Sequence, residues 1–373
     1  MFTQICEQLG IDVPIFAFSH CRDVVAAVSN AGGFGVLGAT AHSPAGLETD
    51  LAWIDEQAAG RPYGVDLLLP ARFADVGAAG PGEAPGAQIP PGHRAFVADL
   101  LERYDVPALP EHLAGRSGSL SVSPRDAQAL LDVAFRHPVR LVASALGPPP
   151  AELTEQAHAR GILLAALVGT VEHARRQQAA GVDLIVAQGT EAGGHTGTVA
   201  TMVLVPEVVR AVAPLPVLAA GGIVTGAQMA AAVALGAQGV WCGSVWLTTQ
   251  EAETDPAVQR KMLAASASDT VRSRSLTGKP ARMLRSAWTD EWEADSAPAA
   301  LQMPLQTILT AGAQQRITRS SSRDGSGAQQ LATYFVGQGV GLLDRVRPAR
   351  EVVADMVSEY LEVAARFAAQ LAG

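Results

Sequence analysis

A chain of 373 residues with 48% hydrophobic and 17% charged residues can bury a large core, and its length suits one α/β barrel with additions or two domains. A net charge of −9, with no basic run carrying interleaved aromatics, speaks against a nucleic-acid surface. The three cysteines, Cys6, Cys21 and Cys242, lie far apart without ligand spacing, so neither a disulfide framework nor a metal site is expected.

Apolar strand-like runs alternate with helical ones along the chain. Strands are predicted at 14–18, 34–37, 63–69, 139–144, 162–168, 183–187, 216–220 and 239–242. Helices are predicted at 23–31, 44–59, 151–160, 171–180, 205–212 and 226–235. Scarce aromatics and abundant Ala, Val, Leu and Gly fit helices packed on buried parallel strands. Eight short strands, each followed by a helical segment, predict an α/β fold of the (β/α)8 barrel kind.

Two segments break the repeat. Residues 77–93 are rich in Gly and Pro and read as a mobile surface loop. Residues 254–326 are polar and rich in Ser, Arg and Gln, and read as a partly helical insertion after strand eight that covers the barrel mouth. The tail carries Val352, Val353, Met356, Tyr360, Val363, Ala364 and Phe367 at helical spacing, an amphipathic helix that closes the outer ring. The expected division is a barrel over 1–253, an insertion or lid over 254–330, and a closing segment over 331–373. The start of the chain lacks a basic region followed by an apolar one, and no apolar run reaches about 18 residues without turn residues, so a cytoplasmic protein without membrane contact is expected.

Active sites of such barrels sit at the C-terminal ends of the strands, and the unusual residues cluster there. They are Ser19-His20-Cys21 after strand one, Asp66 in strand three, Gly169-Thr170 after strand five, Gln188 to Gly197 after strand six, Gly221-Gly222 after strand seven and Gly243-Ser244 after strand eight. Bare backbone after strands seven and eight can offer N–H groups and the Ser244 hydroxyl to a phosphate; tight βα turns are the plainer use of the same glycines. His195 lies among glycines, where it serves a flavin or a substrate anion, or orients the loop. His173 stands one turn into a helix, where the N-terminal dipole keeps an imidazole neutral and fit to act as a base; an exposed helical histidine is the alternative. His20 also reaches the mouth. Glu191 is read as a brace for its loop, and Cys242 as a small buried residue. His42, His93, His112, His137 and His158 are read as surface residues. Arg272, Arg274, Lys279, Arg282 and Arg285 are read as a solvated, salt-bridged face, with an anionic substrate or carrier protein as the other use.

The run Gln188-Gly189-Thr190-Glu191-Ala192-Gly193-Gly194-His195 resembles the signature of nitronate monooxygenases, formerly called 2-nitropropane dioxygenases. Matching stretches include Ala27 to Gly35, Ala219-Ala220-Gly221-Gly222-Ile223, Leu235 to Val240 and Gly337-Gln338-Gly339, so the resemblance spans most of the chain. The same superfamily includes flavin-dependent enoyl-acyl-carrier-protein reductases and NADH:quinone reductases. The resemblance implies a TIM barrel that holds FMN at its strand ends through Phe18, Ser19, Asp66, Gln188, Gly193, Gly194, Gly221, Gly222, Trp241, Cys242, Gly243 and Ser244. Asp66 stands where the family usually has asparagine; an aspartate accepts but does not donate unless protonated.

Two departures concern the chemistry. Phe18-Ser19-His20 replaces the usual Ala-Pro-Met after strand one, and Ala145 stands where the best-known members carry a catalytic histidine. His173 matches a histidine used near the flavin in another branch, so it is the expected substrate-facing residue, with His20 as substitute and His195 beside the cofactor. The implied reaction is FMN-dependent oxidation of alkyl nitronates by O2 to a carbonyl compound and nitrite. An NAD(P)H-dependent reductase of an enoyl thioester or quinone is the rival, and a non-catalytic flavin-binding protein the third reading. The partners expected are the small anion and O2, and a homodimer is one assembly open to the chain.

Overall fold

The alternation of apolar residues becomes eight short parallel strands in a computed structural model that describes residues 3–67, 88–109, 124–144, 147–323 and 325–372. They are β1 (Ile15–Ser19), β2 (Phe34–Gly38), β3 (Tyr63–Asp66), β4 (Leu141–Ser144), β5 (Leu163–Val168), β6 (Leu184–Gln188), β8 (Val217–Ala220) and β9 (Gly239–Cys242). A two-residue strand, β7 (Gly194–His195), lies between β6 and β8 in sequence but outside the barrel. The barrel runs β1-β2-β3-β4-β5-β6-β8-β9 and closes where Ile15, Phe16 and Ala17 pair with Val240, Trp241 and Cys242.

Strand period two sorts the side chains. Phe16, Phe34, Val36, Leu141, Ala165, Val186, Leu218 and Trp241 fill the interior, with Phe16 packed 5.1 Å from Phe34. Ile5, Cys6 and Leu9 of the first helix, Gln4–Leu9, join this cluster and plug the lower end, tied there by Ile5 N–H donating to Gln238 Oε1. The alternate residues, such as Val65, Val142, Ile185 and Ala219, face the surrounding helices.

The ring helices Arg22–Asn30, Pro44–Gln57, Ala151–His158, Val171–Ala179 and Gly226–Ala234 fall close to their expected places. Their starts are set locally: Ser43, Thr170 and Thr225 accept backbone N–H groups as N-caps, worth about 1 kcal/mol each. The final helix, Ala349–Ala372, packs against Gly226–Ala234, and Glu359 accepts from Gly226 N–H. A Cβ on Gly226 would lie 1.9 Å from Met356 O, so only glycine permits this approach.

Three features differ from the sequence reading. Helices Pro91–Arg103 and Pro124–Ala134 lie between β3 and β4, where no helix is predicted. The helix expected at 205–212 starts a turn earlier, at Thr201, because the Glu191 carboxylate accepts from Thr201 N–H; Pro206 falls inside it. The segment after β9 contains not only helices, among them Pro256–Ala264 and Leu305–Ser321, but a hairpin of β10 (Thr270–Ser273) and β11 (Ala281–Leu284). β11 pairs with β7, Ala281 opposite His195 and Arg282 opposite Gly194, which lays the hairpin beside the loop after β6. The predicted loop at 77–93 lies outside the described residues over 77–87, and the helix of Pro91–Arg103 takes its end.

Candidate active site at the barrel mouth

Continuing the alternation upward, Phe18, Gly38, Asp66, Leu167, Gln188 and Trp241 form the uppermost interior layer at the strands' C-terminal ends. Phe18 stacks on Trp241 at 6.3 Å and meets the His20 ring edge-on at 5.1 Å. Gly38 makes room for both: a Cβ there would lie 2.7 Å from the imidazole and 2.8 Å from Phe18. His20 Nδ1 lies 2.8 Å from the Gly38 carbonyl, which can only accept, so Nδ1 carries the proton and Nε2 is left as an acceptor. Desolvation, assisted by His42, lowers the His20 pKa against the opposing effect of that hydrogen bond. Asp66 and Gln188 are the polar side chains of this layer among the described residues. Asp66 is 5% exposed, has no hydrogen bond or ion pair to its carboxyl among the described residues, and burial pushes it up to about 7.

Beside this layer the backbones of four glycine-bearing segments meet. Gly221 and Gly222 have φ of +113° and +71°, a region open to glycine at little cost. Thr201 Oγ1 donates to Glu191 Oε2 at 2.8 Å, and a Cβ on Gly189 or Gly221 would lie 2.1 or 2.6 Å from that hydroxyl oxygen. The Glu191 carboxylate is thus drawn onto the helix N-terminus and braces the loop. Gly337 N–H donates to Ser244 Oγ at 2.8 Å, and Gln338 N–H to Glu191 O at 2.8 Å, bringing 337–339 against both loops. A Cβ on Gly339 would lie 2.7 Å from Gly222 O. Gly194 and Gly243, by contrast, face open space, with no atom within 4 Å of an added Cβ. The result is a cradle of exposed backbone with a hydroxyl and, among the described residues, no free carboxylate, which fits a phosphate group.

His195 stands next to the cradle, its Nε2 2.9 Å from Thr277 Oγ1. Desolvation, then the Lys279 cation, lowers its pKa. Of the five basic residues expected on a solvated face, Arg274, Lys279 and Arg285 are exposed, whereas Arg272 and Arg282 turn inward. Arg282, 8% exposed, donates to Thr190 O at 2.9 Å and to Thr270 Oγ1 at 3.1 Å; Arg272 donates to Thr196 O at 3.1 Å. They clamp the loop after β6 because its carbonyls lie inside the sheet's cover. Arg285 does pair with Asp290.

The other expected site residues divide. Ser19 Oγ accepts from Cys21 N–H, and the Cys242 thiol faces the helix layer, where burial pushes it up to about 12; its carbonyl accepts from Trp246 Nε1. The Cys242 side chain therefore does not line the mouth, contrary to the expectation. His173 is exposed in the first turn of Val171–Ala179, and its ring has no hydrogen bond among the described residues. Ala145 and His112 lie outside the described residues. His137 is not a surface residue: its side chain is 7% exposed and bonds Asp55 at 2.7 Å, far below the mouth. His42 is likewise half-buried on Asp50. Thr277 and Thr201 escaped the sequence reading; neither lies in a motif, and only the hairpin register and the loop closure bring them in.

A family model described as nitronate monooxygenase matches residues 11–359. A Mycobacterium tuberculosis protein provisionally named a monooxygenase is 64% identical over 97% of this chain and 97% of its own. A provisionally named nitronate monooxygenase of Staphylococcus saprophyticus is 30% identical, covering 83% of this chain and 85% of its own. Among solved structures, nitroalkane oxidase from Streptomyces ansochromogenes matches with a TM-score of 0.78 at 27% identity, over 97% of this chain and 99% of that one. FabK from Thermotoga maritima matches with a TM-score of 0.73 at 26% identity, over 99% of both chains.

Proposed function

The chain belongs to the nitronate monooxygenase family of flavin-dependent oxidoreductases, and from that premise we propose that it binds FMN in the barrel mouth and oxidises alkyl nitronates with O2 to a carbonyl compound and nitrite. The observation that carries the reading is the glycine cradle with a histidine beside it. Gly193, Gly194, Gly221, Gly222, Gly243 and the Ser244 hydroxyl would hold the phosphate; Asp66, Gln188, Phe18 and Trp241 would lie toward the ring. The chemistry that FMN would supply there is redox: acceptance of electrons from the substrate and their return to O2.

The protein's own share is proton handling, orientation and potential. Thr277 Oγ1 donates to the Lys279 carbonyl at 3.2 Å, so its oxygen accepts the proton of His195 Nε2. That fixes the neutral tautomer with Nδ1 as an acceptor. Nδ1 would take the α-proton of a neutral nitroalkane, and the imidazolium so formed would pair with the resulting anion beside Lys279. His173 on the rim and His20 over Gly38 are the further candidates for a substrate contact. The β10–β11 hairpin and its helices, held to the loop by β7, Arg272 and Arg282, would roof the cleft and exclude water.

The test is anaerobic mixing of FMN-loaded protein with propionate 3-nitronate, and separately with NADH or NADPH, following flavin absorbance. Flavin reduction by the nitronate alone supports the reading. Fast bleaching by the pyridine nucleotides replaces it with a reductase, and the absence of change with either leaves a flavin-binding protein without this activity.

A further inference from the structure

Among the described residues, Asp66 is an isolated ionisable group in the top interior layer. Tyr63 and Val65 pack into the helix-facing cluster, so the strand period turns Asp66 into the barrel. Its neighbours in register are Gly38 on β2, which has no side chain, and Ala143 on β4, which is apolar. Across the layer stand Phe18, Leu167 and Trp241. The titratable groups nearest the mouth on the adjoining loops are His20, committed through Nδ1 to Gly38 O, and His42, held by Asp50. Among the described residues no cation faces the carboxyl, and no N–H or O–H donates to it. A buried carboxylate without either support is costly, and such a group takes up a proton instead.

We propose that Asp66 stands in the mouth as a carboxylic acid and donates a hydrogen bond to an acceptor atom on the pyrimidine edge of the bound flavin. This rests on the FMN reading above. The oxidised ring offers carbonyl oxygens and unprotonated nitrogens along that edge as acceptors, and one N–H as a donor. A protonated Asp66 satisfies an acceptor, whereas an ionised one repels it. The group thereby couples cofactor retention to pH, since each molecule that loses the Asp66 proton loses the bond. Burial that sets the acid's titration near 7 places this coupling in the neutral range.

The experiment measures FMN dissociation from the holoenzyme, by flavin fluorescence released on dilution, across about pH 5 to 9. The wild type is compared with Asp66→Asn, which keeps an uncharged donor, and Asp66→Leu, which has none. The FMN phosphate has its own ionisation near about 6, common to all three proteins. The expected result is a wild-type Kd that rises on the order of tenfold as pH passes through about 7 beyond any change shared with Asp66→Asn. Asp66→Asn should stay near the acidic-limb affinity, and Asp66→Leu should be weak at every pH. An equal rise in Asp66→Asn overturns the proposal and leaves FMN binding standing. A wild-type affinity that improves with pH also overturns it, because it makes Asp66 an acceptor from the ring N–H. No FMN bound by the wild type at any pH overturns the proposal together with the FMN reading.

Discussion

His195 and Thr277 are 82 residues apart in sequence, yet His195 Nε2 lies 2.9 Å from Thr277 Oγ1. The pairing of β7 with β11 creates this contact, and the Lys279 carbonyl on the far side of the hydroxyl gives it a direction. A histidine in a glycine loop thereby becomes an imidazole with one defined acceptor nitrogen.

If that nitrogen removes the α-proton, His195→Asn lowers kcat/KM for a neutral nitroalkane by about 10²–10⁴. Turnover of the preformed nitronate falls far less, since no proton needs removal. The wild-type profile for the nitroalkane rises with pH through a value below 6.5, because desolvation and Lys279 disfavour the imidazolium and extend the neutral base to lower pH. Steady-state kinetics on both substrates decide it; equal losses on the two would contradict the base role.

Thr277→Val removes the acceptor that fixes the tautomer while keeping the shape. The nitroalkane reaction should slow on the order of tenfold, the worth of one hydrogen bond of about 1.4 kcal/mol. Thr277→Ser should restore it, and FMN content should not change in either variant. An unaltered rate in Thr277→Val would show that the ring is held by other contacts.

Gly243→Ala tests the cradle without testing the fold. Its φ of −120° lies outside the left-handed region that favours glycine, and an added Cβ meets no atom within 4 Å. Thermal stability without cofactor should stay within about 0.5 kcal/mol, whereas FMN affinity should drop because the methyl group enters the cradle. Unchanged affinity would move the phosphate elsewhere.

Arg282→Met keeps the apolar stem but removes the donors to the Thr190 carbonyl and to the Thr270 hydroxyl oxygen, which still donates to Ala267 O. The loss should be about 1–3 kcal/mol in denaturant unfolding. Increased hydrogen exchange should be concentrated in residues 189–197; a variant with wild-type stability and exchange would show that β7–β11 pairing alone holds the loop.

Asp66 has a linkage consequence for the protein without cofactor. Its carboxyl titrates near 3.8 when exposed and at about 7 when folded, so the folded state binds the proton more tightly. Its stabilising contribution is full below about 4 and is lost as pH rises to about 7. Unfolding midpoints for the wild type and Asp66→Asn should therefore diverge across this window, the wild type losing stability relative to the variant.

The barrel was legible because its information is local. Short continuous apolar runs such as Leu184 to Ala187, and capped helices such as that begun by Thr170, mark strand and helix within a few residues, and the glycine pairs mark the strand ends. Helices 91–103 and 124–134 were missed because their Pro-led starts adjoin Gly- and Pro-rich sequence, which reads as loop.

The sequence by itself determined the parallel barrel, its glycine-rich mouth and the residues Gln188, Asp66 and His195 at the strand ends, since side-chain period and backbone freedom act over short distances. Only the tertiary structure decided that the half-buried Arg272 and the buried Arg282 are clamps, that the Cys242 thiol turns away from the mouth, that Thr277 orients His195 and that Asp66 has no partner among the described residues. Each of these depends on desolvation and hydrogen-bond geometry between segments far apart in the chain, and those exist only after β11 has paired with β7 and the barrel has closed.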